Sequence, residues 1–193
     1  MPYFGTNPVG TSSANVSAST TVGDGTAEDT KLVFDGNALD FRIGIDDGTD
    51  KLEIGKGNAH GTTTHMTIDT NGIVTTPLQS GVFARLSANQ SINNATLTKI
   101  AYDEEGYDIL NEFASNKFTA TAAGIYNVTS MLAMALGDGD RLFSGLYKNG
   151  SLIHRTQVLA GAAESAKSHL TANVQLSASD YLEVFAQHDY GTA

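Results

Sequence analysis

Between residues 31 and 76 the chain alternates apolar and polar side chains with a period of two. Phe41, Ile43 and Ile45 fall on one face of a strand while Asp40, Arg42 and Asp46 fall on the other. Leu52 and Ile54 repeat the pattern, and so do Met66 and Ile68. Asp35-Gly36-Asn37, Asp47-Gly48-Thr49 and Asn71-Gly72 separate these runs, predicting tight hairpins with positive φ at the turns. An apolar-apolar-Asp-Gly unit at Val33 to Gly36 recurs with variation at Ile45 to Gly48 and Ile68 to Gly72, too irregularly for a solenoid. A few strands with one apolar face each make a marginal sheet on their own. The segment therefore predicts an oligomer in which Phe41, Ile43 and Ile45 are buried between chains.

On either side the pattern changes. From Thr6 to Thr30 the sequence is a low-complexity run of Thr, Ser, Ala, Gly and Asn with little to bury, so residues 1–30 read as a docking arm or a tail. Residues 31–76 form the β-rich stem, and Pro77 to Gly81 reads as a linker. From Val82 to Ala193 a second domain follows, with strands predicted at 82–86, 96–102, 117–121, 125–136, 141–148, 151–159, 169–176 and 180–188. Asn149-Gly150, between two alternating runs, is the strongest hairpin signal in the chain. Strand follows strand without a helical pattern, which predicts an all-β fold with a β-sandwich of jelly-roll type at the C-terminus.

Composition narrows the function. Of 193 residues 40% are apolar and 17% charged, with 20 glycines and no Trp, which suits many short strands and turns. The net charge of −10 argues against nucleic-acid phosphates and against anionic membrane surfaces as partners. Without cysteine, neither disulfides nor thiolate metal sites hold the fold together. The start, Met1-Pro2-Tyr3-Phe4-Gly5, lacks the regions of a signal peptide, and the longest apolar run, Met131 to Leu136, is too short to span a bilayer. A soluble product assembled in the cytoplasm, without membrane insertion, is expected.

Several segments of the second domain resemble the C1q/TNF-like family. Phe83-Ala84-Arg85-Leu86 looks like its opening strand. The stretch from Tyr107 to Phe113, followed by Phe118-Thr119-Ala120 and Gly124-Ile125-Tyr126, is similar to its central signature. Leu146-Tyr147-Lys148-Asn149-Gly150 matches its Lys-Asn-Gly hairpin, and Leu176 to Phe185 resembles its penultimate strand. In that reading Phe113, Phe118 and Tyr126 fill the core, and Gly124 allows the turn into the long strand. The family normally closes with a further apolar strand, and here the chain stops at Tyr190-Gly191-Thr192-Ala193. That strand is missing, truncated or supplied by another subunit. Upstream, Lys31 to Asn37 and Thr67 to Val74 look like segments of bacteriophage tail-fibre proteins. Together the resemblances imply a homotrimer with a β-rich stem and a C1q-like knob.

Candidate chemistry is sparse. His60, His65, His154, His169 and His188 show no metal-ligand spacing and are expected to be solvent-exposed. No nucleophile elbow, phosphate loop or dinucleotide fingerprint occurs, so no catalytic residue is assigned and an enzyme is not expected. Carboxylates cluster at Asp46, Asp47 and Asp50, at Asp103, Glu104 and Glu105, and at Asp138 and Asp140, where turn chemistry accounts for them. Asp138 and Asp140, in Gly137-Asp138-Gly139-Asp140, are the candidate ligands for calcium, a hard cation that favours such oxygens. Asp103, Tyr107 and Arg141 are the candidate contact residues, on loops at 103–108 and 137–141, with a third loop at 160–168. The expected function is a trimeric fibre or tail-tip appendage on the virion exterior. Its N-terminal region would dock to other virion proteins, and its knob would attach to a host-surface glycan or protein. The alternative is a capsid decoration or tail connector protein that stabilises the particle.

Overall fold

The computed structural model describes residues 21–161 and 165–189, so residues 1–20 of the expected arm at 1–30, residues 162–164 of the expected contact loop and residues 190–193 lie outside it. Among the described residues every regular element is a β-strand and every strand pair is antiparallel. The chain divides into two compact units, Met1–Pro77 and Leu78–Ala193. Residues 78–81, read as linker, bond into the second unit: Ile109 N donates to Gly81 O, and Ser80 Oγ to Glu112.

The first unit is one five-stranded meander, β1 (Thr30–Phe34), β2 (Phe41–Asp46), β3 (Lys51–Lys56), β4 (Thr64–Ile68) and β5 (Val74–Thr75), in chain order. Its Asn71-Gly72 turn has the expected positive φ, but the two at Gly36 and Gly48 are made differently. Gly36 and Gly48 keep negative φ, while Asp50 (φ 54°) and Gly72 (φ 81°) adopt the left-handed conformation. The aspartates brace the turns: Asp46 Oδ1 accepts from Gly48 N at 3.0 Å, and Asp69 Oδ1 from Asn71 N and Ile73 N at 2.9 and 2.8 Å. Side-chain acceptors replace backbone freedom here, as Asx turns do.

In the second unit β12 (Arg141–Lys148) pairs with β13 (Ser151–Leu159) and with β15 (Tyr181–Asp189). The sheet continues through β10 (Lys117–Thr119) to β9 (Phe113–Ala114), with β7 (Thr98–Lys99) also beside β15. The long ribbon of β11 (Gly124–Ala135) and β14 (Ser165–Leu176) packs across it, and β6 (Val82–Arg85) pairs with β8 (Glu104–Asp108). Between the layers Leu170, Val174 and Leu176 of β14 meet Leu146 and Leu182, while Leu142 and Ala186 meet Ala166 and Ile100. A buried hydrogen bond joins Ser144 Oγ to Ser168 Oγ across the same interface. Two sheets that bury one face each against the other satisfy the layer rule for a stable core.

Differences from the predicted strands are local. The run 96–102 pairs only at Thr98–Lys99, and β14 begins at Ser165, four residues earlier than its apolar pattern. The expected loop 103–108 is largely strand β8, held by its partner β6. Gly124 has no positive φ and simply opens β11. At the Asn149-Gly150 turn both residues are left-handed, φ 50° and 77°, as the dipeptide predicts.

Candidate functional site

In the first unit the register places Leu32, Phe34, Phe41, Ile43, Ile45, Leu52, Ile54, Met66, Ile68 and Val74 on one face of the sheet. Among the described residues of this unit no second layer lies over it: Phe34 is 58% exposed, Val74 54% and Leu32 53%. An apolar face of this extent on one sheet layer marks an interaction surface.

The opposite face is polar yet buried. Arg42 retains 1% of its accessible surface and Glu53 3%. Arg42 Nη2 donates to Glu53 Oε2 at 2.8 Å and Arg42 Nη1 to Lys56 O at 2.6 Å. His60 Nδ1 lies 2.7 Å from the same carboxylate, with Gly61 N and the Thr64 hydroxyl also on it. Gly55 makes this possible, because a Cβ there would come within 2.7 Å of Arg42 Nη2. Burial opposes the charge on Glu53, but the hydrogen bonds from Thr64, Arg42, His60 and Gly61 outweigh it and lower the carboxyl to about 2. The network staples the loop between β3 and β4 onto the sheet. Sequence reasoning missed it because periodicity places Arg42 only on the face opposite Phe41 and Ile43, and because His60 reads as exposed. His60 is buried, and so is His188, whose Nε2 lies 2.9 Å from Ile92 O. The available signal was Arg42 and Glu53 on same-face positions of adjacent strands, each next to a glycine-bearing position.

In the second unit a groove of about 1070 Å³ runs between β6 and β11, floored by Phe113, Phe118, Leu146, Leu182 and Val184. Among the described residues β6 pairs only with β8, and β11 only with β14. Two strand edges with free backbone donors and acceptors therefore border one apolar trough, an arrangement that accepts an added strand. One end of the groove is framed by carboxylates. Asp108 accepts from the backbone amides of Glu112 and Phe113 at 2.9 and 2.8 Å, and buried Glu112 accepts from Thr121 N and Oγ1 at 2.8 and 2.6 Å. The stretch from Tyr107 to Phe113 owes its character to these bonds.

The predicted site residues fall in three separate places. Asp103 closes the β6–β8 pair, its two oxygens accepting from Ser87 N and Oγ at 2.7 Å each. Those bonds hold its carboxyl below the usual range. Tyr107 lies on β8, 56% exposed, its ring 6.1 Å from that of Phe83. Arg141 opens β12 and pairs with Asp189. Asp140 Oδ2 accepts from Gly137 N at 2.8 Å and so shapes its own turn, with Gly139 at φ 81°. Among the described residues no three His, Cys, Asp or Glu side chains converge as a metal-ligand set.

No protein-family model matches the chain, and no curated protein is significantly similar to it. The surfaces just described therefore carry the functional argument by themselves.

Proposed function

We propose that this chain is a virion structural protein: a homotrimeric appendage whose second unit is a jelly-roll knob of C1q/TNF type used in host attachment. The observation that carries this reading is the uncovered apolar face of the first unit. A sheet needs a second layer over its apolar side, and three copies packed about an axis supply that layer to one another. The open trough between β6 and β11 adds support, since a strand from another subunit would pair with the two edges that border it. Attachment then follows from valency: several knobs on one particle turn weak contacts into firm adhesion through effective concentration.

The test is made on particles. Tyr107→Ala removes an exposed ring and should leave trimers and particle yield unchanged, while adsorption to the host falls. Particles without the chain that adsorb like wild type would remove the attachment role. Particles that disassemble without it would instead support a decoration or connector role.

A further inference from the structure

The face of β12, β13 and β15 turned away from the core holds a small pocket beside Gly145. Gly145 pairs with Arg155 on one side and Phe185 on the other, while Phe143 and Tyr147 stand two residues away along its own strand. Its φ is not positive, so the glycine is not there for backbone freedom. It lets side chains close in over it: a Cβ would come within 2.9 Å of Tyr147 Cε2 and 3.0 Å of Leu152 Cδ1. Beside them lies a cavity of about 90 Å³ between Phe143, Tyr147, Phe185, Arg155 and Gln187. Leu152 and Leu97 at its rim are 48% and 49% exposed, so the pocket opens to solvent.

The charge at this pocket is unusual for the chain. Arg42, Arg85 and Arg141 each pair with a carboxylate, respectively Glu53, Glu104 and Asp189. Arg155 is the arginine that has none among the described residues, in a protein with a net charge of −10. Its guanidinium lies over the Phe143 ring instead, 4.1 Å from the centroid. Glu183, opposite Tyr147 on the same face, is committed to Lys99 at 2.6 Å. Gln187 donates through Nε2 to Ala95 O at 2.9 Å, which turns its other amide atom, an acceptor, away from that bond.

We infer that this pocket binds a carboxylate-bearing sugar, a uronic acid or similar acidic residue of a glycan. The Tyr147 and Phe185 rings take the C–H face of one pyranose edge, Gln187 accepts from a ring hydroxyl, and the guanidinium of Arg155 takes the carboxylate in a two-pronged bond. As an account of host attachment the inference rests on the appendage reading; the binding itself rests on the pocket alone.

The test is titration of the full chain with methyl glucuronide and methyl glucoside, followed by NMR, with light scattering on the same samples. The glucuronide should bind at least about tenfold more tightly than the glucoside, the worth of one charged contact. Arg155→Gln should erase that preference while the chain stays folded, and Gly145→Ala should weaken both sugars because the added methyl displaces Tyr147 and Leu152 at the pocket wall. Equal affinity for the two sugars, no binding of either, or an Arg155→Gln protein that keeps the preference would overturn the inference. Trimers that bind neither sugar would remove this site and leave the appendage reading standing. A monomer that still prefers the glucuronide would keep the site and remove that reading.

Discussion

The Arg42–Glu53 pair shows how a single residue can be misread by periodicity. The period of two correctly separates Arg42 from Phe41 and Ile43, but it gives sides, not exposure. Burial on the polar side comes from the loop after β3, which folds over Gly55 and brings His60 and Thr64 onto Glu53. A charge removed from such a network leaves its partner buried and unpaired. Glu53→Ala should destabilise the first unit by about 3–5 kcal/mol, measured by chemical denaturation. The pH dependence follows from the same bonds. The folded carboxyl titrates at about 2 against an ordinary 4.5, so its contribution is complete above about pH 4.5 and is lost as the pH falls toward 2. Thermal melts of wild type and Glu53→Gln should therefore converge as the pH is lowered through that window. A stability difference that stays constant from pH 7 to 2 would contradict this role for Glu53.

At the scale of elements, what was legible depended on whether a strand carries its own pattern. β2 alternates as Phe-Arg-Ile-Gly-Ile-Asp, and the Asn149-Gly150 turn announces the hairpin between β12 and β13. Asp180 then locks that turn, accepting from Lys148 Nζ, Asn149 Nδ2 and Ser177 N, which together hold its carboxyl far below the usual range. β8, Glu-Glu-Gly-Tyr-Asp, has no such alternation and is a strand only because β6 pairs with it. Non-local pairing of this kind leaves no local periodicity to read. The Arg155 pocket was hidden for a related reason, since Gly145, Arg155 and Phe185 come from three strands and meet only through the register. Close backbone approach is equally invisible: a Cβ on Gly44 would fall 2.0 Å from Thr30 O. Gly44→Val should thus strip β1 from the sheet, seen as loss of hydrogen-exchange protection at residues 30–34 while β3 and β4 stay protected. Retained protection in β1 would show that its pairing does not depend on that approach.

At the scale of the whole molecule the two units present complementary problems with one kind of solution. The first has an apolar sheet face without a second layer, and the second has a trough with strand edges on both sides. The proposed assembly would resolve both, and the energy involved is substantial. Burying an aliphatic side chain of this size contributes roughly 1.5–3 kcal/mol, and each copy offers several. Ile43→Asp, at the centre of that face, should therefore dissociate the assembly or unfold the first unit, as sedimentation would record, while the second unit keeps its own core. An Ile43→Asp protein that remains fully assembled would place the interface elsewhere.

The most direct measurement is the solution mass of the purified full chain by light scattering. Three chains of 20.2 kDa predict a particle of about 61 kDa that persists on dilution. A single-chain mass with the first unit still folded would mean that its apolar face needs no partner, and would contradict the account.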